Sequence, residues 1–122
     1  MILFKPDMKQ AIIEKRKTVT RRQGKKRWNV GAEHLCYTRM PWGKNPGKPF
    51  ARVRIVDVRR EIQPGYDWSV SQELADIEGR REGFQSWEEF RALYMKINGP
   101  SSLDEPAWRV EFELAEVLEA GE

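Results

Sequence analysis

Hydrophobic and polar positions divide this chain into short strands and a few helices. Met1 to Phe4 is a brief apolar run and predicts a first strand. Pro6 and Asp7 then mark a helix start, with Asp7 placed as N-cap, and Met8, Ala11 and Ile12 recur at the spacing of one buried helix face. The helix is expected to stop near Lys15–Arg16, because the β-branched run Thr18-Val19-Thr20 favours extended backbone. Residues 24–29 read as too polar for a core, and residues 30–33 as a turn. His34 to Arg39 predicts a strand on the alternation of Leu35 and Tyr37 with polar neighbours. Residues 41–49, PWGKNPGKP, read as a structured loop.

Phe50 to Arg60 is the longest strand candidate. Val53 and Ile55 alternate with Arg52 and Arg54, then the apolar phase jumps to Val56 and Val58, which predicts a bulge. Residues 63–69 read as a loop. Val70, Leu74 and Ile77 mark a helix that Gly79 is expected to end. Ser86 and Glu89 form a capping box for the next helix, with Trp87, Phe90, Tyr94 and Ile97 as its apolar stripe and Asn98-Gly99-Pro100 as its stop. Trp108, Val110, Phe112 and Leu114 alternate with charged residues in the clearest strand of all. Serial strand–helix–strand repeats are missing, so the order predicts an α+β fold: a small mixed β-barrel with a short N-terminal helix and two helices before the last strand. Its inner face should include Val53, Ile55, Val110, Phe112 and Leu114. At 122 residues, 1–122 is expected to form one domain.

Composition narrows the setting. Only 39% of residues are hydrophobic, so the thirteen aromatics must supply much of the burial, at roughly 150–250 Å² each. Cys36 is the sole cysteine, which excludes an internal disulfide and argues against a cysteine zinc site. No apolar run approaches the ~20 residues that span a bilayer, and the N-terminal sequence lacks the features of a signal peptide. The expected location is the cytoplasm, with no membrane partner.

Charge changes the picture further. The net +3 conceals a balance of +13 over residues 1–60 and −10 over residues 61–122. From Lys15 to Arg27, eight of thirteen residues are basic and none is acidic. Trp28, Tyr37, Trp42, Tyr66 and Trp68 are candidate aromatic neighbours. Cations for phosphates and flat rings for bases suit single-stranded nucleic acid. The candidate RNA contacts are Arg16, Arg21, Arg22, Lys25, Lys26, Arg27 and Trp42.

The segments Arg16-Lys17-Thr18-Val19-Thr20-Arg21-Arg22, the Val30-Gly31 turn, Arg81-Glu82-Gly83-Phe84 and Ser86-Trp87-Glu88-Glu89-Phe90 together resemble the ASCH domain, in the right order and over most of the chain. The resemblance implies a PUA-like β-barrel with a cleft for a nucleotide or RNA. Small bacterial members of that group include amidohydrolases that remove the acetyl group of N4-acetylcytidine. Their catalytic Lys, the Thr three positions later and a downstream Glu match Lys17, Thr20 and Glu82. Other members look like RNA-binding modules, and some are assigned ribonuclease activity. One departure is that Lys15 stands where the amidohydrolase motif opens with Gly.

The residue types suit amide hydrolysis: Thr20 as nucleophile, Lys17 as base once burial and neighbouring cations lower its pKa, and Glu82 in a loop to orient Lys17 or protonate the leaving amine. Residues three apart on a strand face opposite ways, so Lys17 and Thr20 converge only if Lys17 belongs to the turn before the strand. None of the three reads as a core residue, so stability should not depend on them. The plain alternatives are that Lys17 is one solvated cation among eight, and that Glu82 pairs with Arg80 or Arg81 at the surface. His34, the only histidine, precedes a strand and reads as structural, the acidic residues lack metal-ligand spacing, and no cofactor or metal is implied. The expected partner is RNA or a modified nucleoside. If the basic run binds RNA through phosphates, affinity should fall steeply with salt, roughly one log unit per log unit of salt for each neutralised phosphate. Charge reversals at Arg22, Lys25 and Arg27 should weaken all RNA sequences alike in a filter-binding or anisotropy titration. Binding indifferent to salt would contradict this electrostatic account.

Overall fold

In the computed structural model, residues 1–118 are described. Five strands form one sheet: β1 (Ile2–Leu3), β2 (Val19–Arg22), β3 (Glu33–Tyr37), β4 (Ala51–Glu61) and β5 (Ala107–Val117), in the order β1-β3-β4-β5-β2. Only β1 and β3 run parallel. The sheet curls into a half-barrel whose seam lies between β1 and β2, the two strands left at its edges. The fold is mixed α+β and fits a small PUA-like barrel.

Curvature comes from the long pair β4 and β5. The register runs Ile55↔Phe112 and then Asp57↔Glu111, leaving Val56 as the extra residue. That is the bulge implied by the jump in apolar phase, and a second irregularity lies at Arg52/Val53. Val53, Ile55, Val110 and Phe112 are all 2% exposed or less, with Leu114 packed against them, as the period-two pattern predicted. Phe4, Ile12, Trp28 and Phe50 complete this core. Trp28 overturns the reading of residues 24–29 as non-core: one large ring turns inward while Lys25, Lys26 and Arg27 remain in solvent.

Four helices accompany the sheet: α1 (Lys9–Ile13), α2 (Pro64–Asp67), α3 (Gln72–Arg81) and α4 (Trp87–Asn98). A 3-10 turn over Pro6–Met8 precedes α1, so Asp7 lies inside that turn, and its capping position is taken by Lys5 without a side-chain bond. Residues 63–69 are not all loop, since α2 occupies most of them. Ser86 caps α4 by accepting from the Glu89 backbone N–H at 3.2 Å, and Ser71 caps α3 in the same way.

Helix α3 corrects two expectations. Gly79 does not end it but lies within it, where a Cβ would stand 2.4 Å from the Ser86 backbone. The glycine lets α3 and the start of α4 touch. Val70 and Leu74 are exposed, whereas Ala75, Glu78 and Gly79 form the buried face. A polar residue has displaced the apolar stripe, because its partners are charged. Trp87, Phe90, Tyr94, Ala75 and Leu103 make a second core with Trp68 and Phe84 at its margin, while Ile97 stays in solvent.

The turn from α1 into β2 carries a backbone constraint. Lys15 has φ +65°, the left-handed conformation that suits glycine, and the N–H groups of Arg16 and Lys17 both reach the Ala11 carbonyl. A side chain there costs roughly 1–2 kcal/mol, against roughly 0.5–1 kcal/mol for the greater unfolded freedom of glycine. Lys15→Gly should therefore raise the unfolding free energy by about 0.5 kcal/mol or a little more in urea titration, and Lys15→Ala should leave it unchanged. Equal destabilisation by both would show that the turn is not under strain.

Candidate active site

This turn decides where Lys17 goes. The segment after it is pinned on both sides: Thr18 N–H donates to the Arg81 carbonyl at 2.7 Å, and its carbonyl accepts from Phe112 N–H at 2.9 Å. Lys17 therefore precedes β2 and points at the C-terminus of α3. Its Nζ donates to the Glu82 carbonyl at 2.7 Å, to Glu82 Oε1 at 3.1 Å and to the Val19 carbonyl at 2.9 Å. Gly83, at φ +96°, packs beside its stem: a Cβ there would lie 3.2 Å from Lys17 Cβ. Burial pushes the Lys17 ammonium below the ordinary lysine range, and Arg22 and Arg21 push the same way, while Glu82 opposes them.

Glu82 opens the turn between α3 and α4, as expected, but it is 2% exposed and not paired with Arg80 or Arg81 at the surface. Its other oxygen accepts from Arg21 Nη1 at 2.7 Å. Arg21 also grips Glu61 through Nε at 2.7 Å and Nη2 at 3.1 Å, and reaches Glu78 at 2.5 Å. Glu78 in turn takes two hydrogen bonds from Arg109. Three carboxylates thus neutralise Lys17, Arg21 and Arg109. The Arg21 guanidinium lies 5.5–5.7 Å from the ring centroids of Trp68, Trp87 and Phe90. Burial opposes its charge, but Glu82, Glu61 and Glu78 outweigh that and hold it more firmly protonated than free arginine.

Register explains the division of labour on β2. Arg21 pairs across the ladder with Arg109, and Thr20 with Val110. Alternation sends Arg21 and Arg109 to the helices and Thr20 and Arg22 to the barrel mouth. There a cleft of about 610 Å³ opens at the seam, with Lys17, Thr20, Arg22 and Glu82 in its wall. Phe4, Met8, Phe84 and Tyr94 give it apolar faces. Thr20 Oγ1 accepts a hydrogen bond from Arg22 Nε at 3.1 Å. The three predicted residues are brought together, and all three are buried, which overturns the expectation that stability is indifferent to them.

No family model and no curated protein matches the chain. Solved structures do. An Enterococcus faecalis protein of the DUF984 family superposes with TM-score 0.59 at 17% identity, over 95% of this chain and 74% of that one. The ASCH protein of Zymomonas mobilis gives 0.58 at 18%, over 95% and 70%. The ASCH domain from Lactobacillus crispatus gives 0.58 at 18%, over 90% and 71%. The chain has an ASCH-domain fold.

On this ASCH fold the predicted RNA contacts separate into two groups. Arg21 is fully engaged inside and unavailable, and Arg22 is bound to Thr20 and to the Leu3 carbonyl. Arg16 pairs with Glu14 at the surface. Lys25, Lys26, Arg27 and Trp42 are exposed, and only Arg27 of these lines the cleft. Of the aromatics beside the basic run, Trp28 and Tyr37 are buried and Trp68 donates to Glu61. Among the described residues no His/Cys/Asp/Glu group could hold a metal, and no helix is long and apolar enough to cross a membrane.

Glu61, Glu78 and Arg109 were missed in the sequence. The available signal was Glu78 and Glu82 one helical turn apart beside the small residues Ala75 and Gly79. The network makes a pH prediction. Burial alone would raise the Glu78 carboxyl, but the hydrogen bonds and charges of Arg109 and Arg21 outweigh it and hold it below the usual 4.5. Its stabilisation is complete above that value and is lost as pH falls through the lower folded pKa. Unfolding free energy should therefore drop below about pH 4.5, and Glu78→Gln should flatten that slope while costing roughly 3–5 kcal/mol at neutral pH. An unchanged acid slope in the variant would contradict the assignment.

Proposed function

We propose that the cleft is an amidohydrolase site for N4-acetylcytidine or a similarly acylated cytosine, with Thr20 as nucleophile, Lys17 as base and Glu82 as orienting group. The observation that supports this best is the meeting of Lys17, Thr20 and Glu82, 65 positions apart at the extremes, in one buried wall. A volume of about 610 Å³ with aromatic faces suits one nucleoside.

The chemistry of this reading is acyl transfer through the Thr20 hydroxyl. Loss of one proton leaves Lys17 with two N–H groups, and a turn of the amine away from Glu82 Oε1 brings its lone pair to Thr20. Thr20 Oγ then bonds to the acetyl carbon, its proton passes to Lys17, and the carbonyl electrons move onto oxygen. Collapse breaks the C–N4 bond, and the Lys17 proton goes to the departing amine. Water then bonds to the acetyl carbon as Lys17 takes its proton, the C–Oγ bond breaks, and the Lys17 proton returns to Thr20 Oγ, which frees the acetyl group as acetic acid. Glu82 holds the Lys17 ammonium and is itself held by Arg21 through Oε2. None of these steps draws on a metal or cofactor.

A second reading, a non-catalytic RNA-binding module, draws on the exposed Lys25, Lys26 and Arg27, with Arg27 at the cleft rim. The setting proposed for either reading is the cytoplasm.

The test is a steady-state assay over N4-acylated cytosines, nucleosides and short RNAs. Lys17→Ala, Thr20→Ala and Glu82→Gln should each lower kcat at least about 100-fold, and double changes should add little. Thr20→Ser should keep measurable activity. The rate should rise with pH along a limb placed below the ordinary lysine value, because burial depresses Lys17. Thr20→Ala as fast as the parent would end the nucleophile assignment, and an inactive parent that binds RNA would put the second reading first.

A further inference from the structure

The arginines around this site differ in what answers their charge. Arg21 and Arg109 are ion-paired with glutamates, which hold both more firmly protonated than free arginine. Arg22 has no carboxylate partner among the described residues. Its Nε donates to Thr20 Oγ1 at 3.1 Å and its Nη2 to the Leu3 carbonyl at 2.9 Å, both neutral acceptors. The side chain is half-buried, with the Phe4 ring centroid 5.2 Å from the guanidinium. Burial holds its pKa below the ordinary arginine value. A charge drawn out of water in this way calls for an opposite charge. Both of its hydrogen bonds use one edge of the guanidinium. The opposite edge, Nη1–H with the second Nη2–H, points away from Thr20 and makes no hydrogen bond to any described residue, and Nη1 is not among the sealed polar atoms.

The cleft that Arg22 lines is short of negative charge. Glu82 is the one acid in its wall among the described residues, and its two oxygens are taken by Lys17 and Arg21. Lys5 and Arg27 line the same cleft, are exposed, and form no ion pair among the described residues. Lys5 lies two residues beyond Leu3, whose carbonyl Arg22 holds. Thr38, also in the lining, follows Tyr37, the partner of Leu3 on β3. Cations and a hydroxyl therefore gather at the seam end of the cleft.

We propose that this end of the cleft is a phosphate subsite, where the open edge of Arg22, with Lys5 and Arg27, holds the 5′-phosphate of a cytidine nucleotide whose acylated amine faces Thr20. The substrate is then an acylated cytidine monophosphate and not the uncharged nucleoside. This rests on the acyl-transfer reading of the cleft. Two parallel N–H groups fit two phosphate oxygens, and the guanidinium is already fixed by Thr20 and Leu3. With Thr20 Oγ1 at one edge and a phosphate oxygen at the other, the two stand roughly 8 Å apart. That is the reach from the exocyclic amine of cytosine to its 5′-phosphate, so one ligand can meet both. Three cations suit the dianion of a terminal phosphate better than the single charge of a phosphodiester, which favours the mononucleotide over an RNA strand. Such a contact holds substrate and transition state alike, so it should act on KM and not on kcat.

The experiment titrates the parent, Arg22→Gln, Lys5→Ala and Arg27→Ala with cytidine, 5′-CMP and a short RNA without terminal phosphate, by isothermal calorimetry, which needs no turnover. The parent should bind 5′-CMP at least about 10-fold more tightly than cytidine, and Arg22→Gln should erase most of that ratio. Lys5→Ala and Arg27→Ala should each lower it about two- to fivefold, and it should shrink as salt rises. On acetylated substrates the phosphate should lower KM by a similar factor with kcat unchanged. Thermal melts check that Arg22→Gln is folded, and Lys5→Ala with Arg27→Ala decide the matter if it is not. A parent that binds 5′-CMP in this Arg22-dependent way but hydrolyses no acylated cytosine upholds the phosphate subsite and ends the acyl-transfer reading. A parent that hydrolyses N4-acetylcytidine yet binds cytidine and 5′-CMP alike overturns the subsite and leaves the acyl-transfer reading standing. Tighter binding of the RNA than of 5′-CMP, or a ratio unchanged in every folded variant, also overturns the subsite.

Discussion

Everything in this molecule hangs on the buried bond between Arg21 and three glutamates. Arg21 sits in a strand at the sheet edge, and Glu61, Glu78 and Glu82 come from the end of β4, from α3 and from the residue that caps α3. Their pairing fastens the helical layer to the barrel at one point, and the aromatic rings of Trp68, Trp87 and Phe90 close around it. Desolvating such charges is costly, and they hold only because each partner finds several hydrogen bonds. Removing one partner would strand the others in a dry interior.

The same network sets the electrostatics of the cleft. Glu82 is shared between Arg21 and Lys17, so the carboxylate that anchors the helices also holds the amine in the cleft wall. Lys17 is then subject to two opposed forces: burial and the nearby arginines favour the neutral amine, and Glu82 favours the charge. The first set prevails, so the Lys17 amine gives up its proton more readily than a free lysine. One carboxylate thus holds both Arg21 and Lys17, and a change at Glu82 disturbs both.

Much of this was legible in the sequence where a short period governs it. The alternation in Val53, Ile55, Val110 and Phe112 announced the barrel face, and the broken phase at Val56 announced the bulge. The Lys17–Thr20 spacing was resolved by the turn at Lys15, whose left-handed backbone replaces the glycine of the resembling motif. What was not legible depended on tertiary pairing. Arg21 looks like any other member of a basic run until β2 is paired with β5 and its neighbours prove to be acids. Glu78 displaced Val70 and Leu74 from the buried face of α3 because two arginines wait beneath it. Trp28 was hidden by its polar context, and Gly79 read as a helix end because close contact with Ser86 has no local signature.

Burial, opposed by Glu82, leaves Lys17 easier to deprotonate than a free lysine. The direct measurement is an NMR titration of the Lys17 side chain, followed through its ε-methylene signal, in the parent and in Glu82→Gln. The midpoint should lie below the ordinary lysine value of about 10.4 in the parent, and lower still in the variant. A parent midpoint at or above that value, or an upward move on removing the Glu82 charge, would contradict this balance of burial and charge.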